Sequence, residues 1–513
     1  MTISTFLRFL PLLGALALAA GPSHADDKPA CQYAELARVP LHYTGPSLEV
    51  TMEGSIDGTP AQFLVDTGTY QTMLTRTGTE KRGLSLRMTG EHIVGVGGSS
   101  RVYQARVSEF KAGPTKSGKG WIPVIGDTGS APAFDAIVGA AFLMQADLEL
   151  ALADKQIKFF KPIGCEKSWL AYWDRNAVEI PFEFHRDRSP NPHFTIEVNG
   201  EKLEAIIDSG SWTTSIDSRA AKRAGLRLDA PGVVRTGDGG GIGEGRVAHY
   251  NAMVDTMKIG DEIIRNAQVD IMGTNGQLDV DVLLGADFLR AHRVLFAMGQ
   301  KKIYISYLGG EPLGQRRTLE PWIQHEADTG NPDAQMMLAA LYSNGKLVPK
   351  DPAAAEAWLD KAASAAHPRA NLLVGRNLMG KARWAEAAQR MAGALAQLPA
   401  ERIGALWLYN ARLRSGDAAS ARRELETTFA RSEDHAWPAP VADFYLGRID
   451  ATALLEQAGK DARLAKARSC QANSLMAEWH AAQGDDARAK SLMASVQAYC
   501  TATDPAAKPG AGA

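Results

Sequence analysis

The stretch that decides the fold is "AQFLVDTGTYQTML", Ala61 to Leu74, with Asp66-Thr67-Gly68 at its centre. An apolar strand runs into an acidic residue, and a hydroxyl and a glycine follow at once. The triplet Asp-[Ser/Thr]-Gly stands four times in the chain, at Asp66, Asp127, Asp208 and Asp328. Three residues are a weak signal by themselves, so the surroundings must sort the copies.

Asp66 and Asp208 share a setting, and the offset of 142 residues between them extends well beyond the triplet. Asp57-Gly58 falls on Asn199-Gly200, two dipeptides that tolerate positive φ in tight hairpins. "FLV" before Asp66 falls on "AII" before Asp208, Leu74 on Ile216, and Gly83-Leu84 on Gly225-Leu226. Gly95, Gly97 and Gly98 fall on Gly237, Gly239 and Gly240. The register then slips by four, and "DAIVGAAFL" (Asp135–Leu143) matches "DVLLGADFL" (Asp281–Leu289). These correspondences mark a duplicated unit. Alternation such as "LEVTMEGSI" and "HFTIEVNG", rich in Val, Ile, Thr and Phe, makes both units β. Asp127 lacks the preceding hairpin and the downstream apolar-apolar-Gly turn, and reads as a surface loop. Asp328, in "EADTGNPDAQ", reads as a helix-entry turn.

"GGEPLGQRR" (309–317) reads as a linker. Beyond it the chain turns Ala-, Leu- and Arg-rich, with apolar residues at i, i+3 and i+4. Ala334 and Ala370 stand 36 apart in similar contexts, and Gly416-Asp417 and Gly484-Asp485 stand 68 apart. The pattern predicts an all-α solenoid. Its first unit, through Ala334, Leu338, Tyr342, Gly345, Trp358 and Ala362-Ala363, resembles the Sel-type variant of the tetratricopeptide repeat. The expected division is a signal peptide at 1–25, lobe 1 at 31–168, lobe 2 at 175–308, the linker, helical repeats at 318–502 and a disordered tail at 503–513.

Composition narrows the function. With 513 residues, 45% hydrophobic, and a formal net charge of −2, nothing points to nucleic acid or an anionic membrane. One arginine, an apolar run and Ser23-His24-Ala25 fit an export signal cleaved after Ala25, and no later segment is apolar enough to span a membrane. In an oxidising compartment the four cysteines favour disulfides. Three pairings are open, and free buried thiols are the alternative. Placement along the chain favours Cys31 with Cys165 and Cys470 with Cys500. "GPTKSGKG" (Gly113–Gly120) nearly spells a phosphate loop, but lacks its final hydroxyl and a following helix. No HExxH, GxSxG or CxxC is present. Neither a metal nor a cofactor is expected.

The paired motifs, Asp66-Thr67-Gly68 with Ile137-Val138-Gly139 and Asp208-Ser209-Gly210 with Leu283-Leu284-Gly285, resemble the lobes of retropepsin-type aspartic proteases. Two lobes in one chain resemble the bilobal pepsins. The likeness covers roughly Leu41 to Leu308. It implies an all-β bilobal protease fold ahead of the solenoid, with Asp66 and Asp208 as a catalytic pair sharing one proton. The Thr67 and Ser209 hydroxyls would bond across to the opposite lobe, with Gly68 and Gly210 supplying N–H donors. Many retropepsins carry Ala after the triplet. Here Thr69 and Ser211 stand there, as hydroxyls do in pepsin-like enzymes, where they donate to a catalytic carboxylate. Such a donor lowers a carboxyl pKa, so an acidic to mildly acidic optimum is expected. The clusters "VGVGGSSR" (94–101) and "RTGDGGGIGEG" (235–245) lie where the family has flaps, which makes their glycines flap candidates. The reading that follows is an exported endopeptidase acting on protein or peptide, with repeats that bind a partner or present substrate. The rivals are a non-catalytic peptide-binding or scaffold protein on a duplicated protease fold, and lobes that pair between chains.

Overall fold

A computed structural model describes residues 31–500 except 127–131, 185–189, 244, 275–277, 314–317, 399–400, 431–436 and 461–463. The leader read over 1–25, the triplet at Asp127 and the tail at 503–513 lie outside the described residues.

Each β unit is built around the end of its triplet strand. In the first, strand Thr59–Asp66 leaves a two-residue turn in which Asp57 and Gly58 both have positive φ, 51° and 75°. Asn199 and Gly200 repeat the turn at 51° and 83° before strand Glu201–Ile207. The turn side chains also work alike. Asp57 Oδ1 accepts from the Ser108 and Glu109 amides, and Asn199 Oδ1 from those of Asp255 and Thr256. Strand Ala136–Gly139 lies parallel to the triplet strand, with Val138 opposite Val65 and Gly139 opposite Asp66. In the second unit Ile207 stands opposite Leu284 in the same parallel pairing. Parallel neighbours need a crossover, which brings a distant apolar-apolar-Gly turn against the acidic loop. The triplet strands sit inside one ten-stranded and one eight-stranded sheet. Phe63, Val65, Val138, Ile207, Val282 and Leu284 are buried in a core that both units share.

A third sheet ties the units together. Its six strands run in the order Gln32–Pro40, Gln156–Ile163, Asp147–Ala151, His292–Ala297, Lys302–Tyr307, Val178–Pro181. Three come from each unit, and the seam is antiparallel, with Leu148 opposite Phe296 and Leu150 opposite Val294. Cys31 and Cys165 are bonded at the edge of this sheet, Cα to Cα 4.5 Å.

Helices follow from Pro321 to Cys500. Pro at the first turn and an Asn331, Asp351 or His367 cap start three of them in succession. The region docks on the first unit. Tyr43 lies 4.9 Å from the Trp322 ring, and Asn331 donates to the Tyr43 carbonyl. Leu313 is buried in the common core, so the segment expected to be a plain linker is anchored there. Asp328 ends helix Pro321–Asp328 instead of opening one, because Thr329-Gly330-Asn331 make the turn and Asn331 caps the next helix. The last two helices, Ala465–Ala482 and Asp486–Cys500, form an antiparallel hairpin about Gly484, at φ 83°, closed by the bond between Cys470 and Cys500. "GPTKSGKG" forms short β strands, with no helix after it. Among the described residues no helix is long and apolar enough to cross a membrane.

Candidate active site

The two triplets meet within the one chain. The backbone N–H of Thr67 donates to Ser209 Oγ and that of Ser209 to Thr67 Oγ1, both at 3.1 Å. Each hydroxyl then donates onward across the junction, Thr67 to the Ile207 carbonyl at 2.6 Å and Ser209 to the Val65 carbonyl at 2.7 Å. Each hydroxyl thus both accepts and donates across the junction, and both residues are buried. This pins the two acidic loops at one distance. Each triplet glycine faces the opposite acid. A methyl group at Gly68 would collide with the Asp208 carboxyl, and one at Gly210 with that of Asp66. Only glycine lets the loops approach so far.

The carboxyls are cradled unequally. Asp66, 8% exposed, takes the Gly68 and Thr69 amides on Oδ1, each at 2.9 Å. On Oδ2 it takes the Thr69 hydroxyl at 2.7 Å. Asp208 takes the Gly210 and Ser211 amides on Oδ1 at 3.0 and 3.1 Å. The Ser211 hydroxyl, expected to do what Thr69 does, instead donates to the Thr213 carbonyl at 2.9 Å. Burial raises both pKa values above the ordinary carboxylate range. For Asp66 the Thr69 hydroxyl and the loop amides offset part of the rise. For Asp208 the neighbouring Asp66 charge adds to burial, so it lies well above the ordinary range. Two carboxyls raised together in this way favour one shared proton between them.

The turns behind the acids are held alike. The Ala140 amide donates to the Thr69 carbonyl and that of Ala286 to Ser211, both at 2.8 Å. Thr72 and Thr214 accept from the Gly139 and Gly285 amides. Asp135 accepts from the Gln62 amide and from Lys81 and Arg82. Burial opposes its ionisation, but Lys81 and Arg82 outweigh it and hold the carboxyl below the usual range. Asp281 plays the same part with the Glu204 amide and Arg223.

The glycine clusters form hairpin tips that touch. One hairpin is Leu86–Gly95 with Gly98–Val107, the other Val234–Gly239 with Val247–Ile259. The Gly97 amide donates to the Ile242 carbonyl at 2.9 Å, and Gly97 accepts from the Gly245 amide at 2.7 Å. Gly95 lies against Ile242, and Gly243 against Gly97. Gly98 and Gly237 take positive φ, 93° and 145°. Gly239 packs on the His249 ring, and Gly240 lies near the Gly245 carbonyl. The apolar tip residues cross over. Val96 packs with Ile206, Met272 and Leu283 of the second unit, while Ile242 packs with Leu64, Met73, Ile125 and Ile137 of the first.

Several participants escaped the sequence reading. Asn191, buried, donates to the Thr67 carbonyl from 124 positions away. Nothing local marks it. Asp287 accepts from the Thr214 amide and hydroxyl, where the first unit has Ala141. Tyr70 and Trp212 follow the triplets at equal offset and are 46% and 38% exposed. The same alignment that paired the acids would have found them. The units also differ where Met73 of the first gives way to Ser215 of the second. Ser215 and His249 both bond Asp270 there, at 3.1 and 2.6 Å.

Comparison with known proteins agrees with this geometry. Residues 52–130 match a family described as "Aspartyl protease", and residues 194–291 one described as "gag-polyprotein putative aspartyl protease". The chain thus carries two retropepsin-like aspartyl protease domains, one in each β unit, ahead of a helical region. DNA damage-inducible protein 1 of Saccharomyces cerevisiae is 30% identical over 118 residues, which are 23% of this chain and 26% of that protein. The match spans about a quarter of either molecule.

Proposed function

We propose that this chain is an aspartic endopeptidase whose nucleophile is a water held between Asp66 and Asp208. The observation that carries the reading is the pair of facing carboxyls, each amide-cradled on one oxygen and each closed by the other loop's glycine. Two carboxyls in such a site share one proton. Asp66, with the extra Thr69 donor, is the ionised member and takes a proton from the water. Asp208, protonated, donates to the scissile carbonyl oxygen, and a tetrahedral diol forms. Collapse of the diol passes a proton to the leaving nitrogen and breaks the C–N bond. The apparent pKa values belong to the pair. Because burial raises both, activity peaks at mildly acidic pH, above the range that the Thr69 donor alone implies.

The paired hairpin tips close over an extended peptide and exclude water from the diol. Export through a leader at 1–25 is part of the proposal, supported by two disulfides that suit an oxidising compartment. The helical region serves partner or substrate binding, as helical solenoids do through their extended concave surfaces.

The test is cleavage of a reduced, denatured protein between pH 3 and 7, with and without a pepstatin-type inhibitor. The expected result is inhibitable cleavage with a bell-shaped pH profile. Peptide capture without cleavage by the wild type, across that range and several substrates, would favour the non-catalytic binding protein.

A further inference from the structure

The helical region holds a groove of about 820 Å³, bounded by helices Pro332–Asn344, Pro352–Ser364, Pro368–Gly380, Trp384–Gln397, Arg402–Arg414 and Ala465–Ala482. That volume lies within the range of pockets that bury a small ligand. Apolar side chains from four helices form much of its wall, among them Met336, Leu359, Met379 and Trp384.

Its polar groups are not balanced. Arg376 is bonded through both guanidinium ends to Glu478, which ties two distant helices across the groove. Lys381 is paired with Glu356 at 2.6 Å. Arg414 has no such partner: among the described residues no carboxylate forms an ion pair with it. Its guanidinium lies 4.7 Å over the Trp384 ring and gives one N–H to the Ala481 carbonyl at 2.7 Å. The remaining donors are free to take an anion, and the ring holds them in place.

Asn410 supplies the second observation. It lines the groove and is 1% exposed. Its Nδ2 donates to the Tyr445 hydroxyl at 3.0 Å, and that hydroxyl spends its proton on the Leu475 carbonyl at 2.9 Å. The relay fixes the amide's orientation, since Tyr445 can only accept from Asn410. Asn410 Oδ1 is left as a buried acceptor with no partner. Buried acceptors in native proteins are normally satisfied, so an orphan lining a groove points to a donor brought by a ligand.

Asn410 and Arg414 are four apart on one helix and face the same side, about 5–6 Å between Cβ atoms. A ligand must therefore offer an N–H beside a carboxylate, with apolar matter attached. The last residue of a peptide carries all three on one Cα. We infer that this groove binds the carboxyl-terminal end of a peptide chain, the terminal amide N–H on Asn410 Oδ1, the carboxylate on Arg414 and an apolar side chain against Met379 and Trp384. The site is separate from the acidic pair and does not depend on it. New chain ends of this kind are what an endopeptidase releases.

The test uses the full chain carrying Asp66→Asn, so that the probes stay intact. Hexapeptides ending in leucine are arrayed as free acids and as carboxyl-terminal amides, and binding is titrated by calorimetry with acetate as a competitor. The free acids bind at least ten times more tightly than their amides, and Arg414→Gln, at an exposed position and checked for folding by its thermal unfolding, removes that preference. Asn410→Leu weakens the acids as well, with thermal unfolding as the control for folding. Equal binding of acid and amide, an Arg414→Gln variant that still discriminates, or acetate competing as strongly as peptide would overturn the inference. Peptide hydrolysis by the wild-type acidic pair, measured separately, bears only on the protease reading.

Discussion

Thr69 and Ser211 occupy equivalent places after their triplets, yet only Thr69 reaches its carboxylate. A donor to the ionised form lowers a pKa, so removing it raises the pKa. Thr69→Ala is expected to move the acid limb of the kcat/KM profile to higher pH, while Ser211→Ala leaves that limb in place. Equal shifts would contradict the unequal cradles. The second prediction concerns stability. Asp208 has a folded-state pKa raised by burial and by Asp66. Its ionisation therefore weakens the fold progressively as pH rises past the unfolded value, about 3.9. Asp208→Asn is expected to unfold at a higher temperature than wild type at pH 7. The gain fades toward pH 3, where the carboxyl is protonated in both states. Calorimetry at the two pH values checks the sign.

At the scale of elements, the two glycine-tipped hairpins are joined at their tips, and in the proposed reading they act as one lid. Gly97 makes two backbone bonds to the opposite tip, and a side chain there would strike the Gly243 and Gly245 carbonyls. Gly97→Val is expected to lower kcat/KM about tenfold or more while leaving the unfolding temperature nearly unchanged, because closure and not the core is affected. Steady-state kinetics beside a melting curve separates the two. Much at this scale was legible in the sequence. The hairpin dipeptides and the triplets recur at an offset of 142 and the apolar-apolar-Gly turns at 146, and such spacing survives in a sequence. Which carbonyl Ser211 chooses is a matter of backbone conformation at Thr213, and no composition records it. Asn191 was hidden for a different reason. Its partner is 124 residues away, and a lone Asn between two prolines reads as an ordinary turn.

The whole molecule is held by contacts the sequence does not announce. The seam of the six-stranded sheet pairs Leu148 with Phe296, a partnership that periodicity cannot predict because each strand alone fits any edge. The cysteine positions did suggest their partners, since one pair spans the first unit and the other a helical hairpin. The bond from Cys31 to Cys165 closes a loop of 134 residues and that from Cys470 to Cys500 one of 30. In the chain-entropy account, the longer loop is worth about 1 kcal/mol more. Replacing Cys31 and Cys165 by serine is therefore expected to cost more stability than replacing Cys470 and Cys500, as read by denaturant titration. The reverse order would mean that the helical hairpin, not the shared sheet, limits unfolding.

The central claim is that Asp66 and Asp208 act as one unit. It is tested most directly by the single-turnover cleavage rate of a denatured protein at the optimum pH, for wild type, Asp66→Asn, Asp208→Asn and the double variant. Members of one catalytic unit are not additive. Each single variant is predicted to lose about three orders of magnitude or more, and the double variant to lose no more than either. A single variant that keeps wild-type cleavage, or losses that multiply in the double variant, would contradict the account.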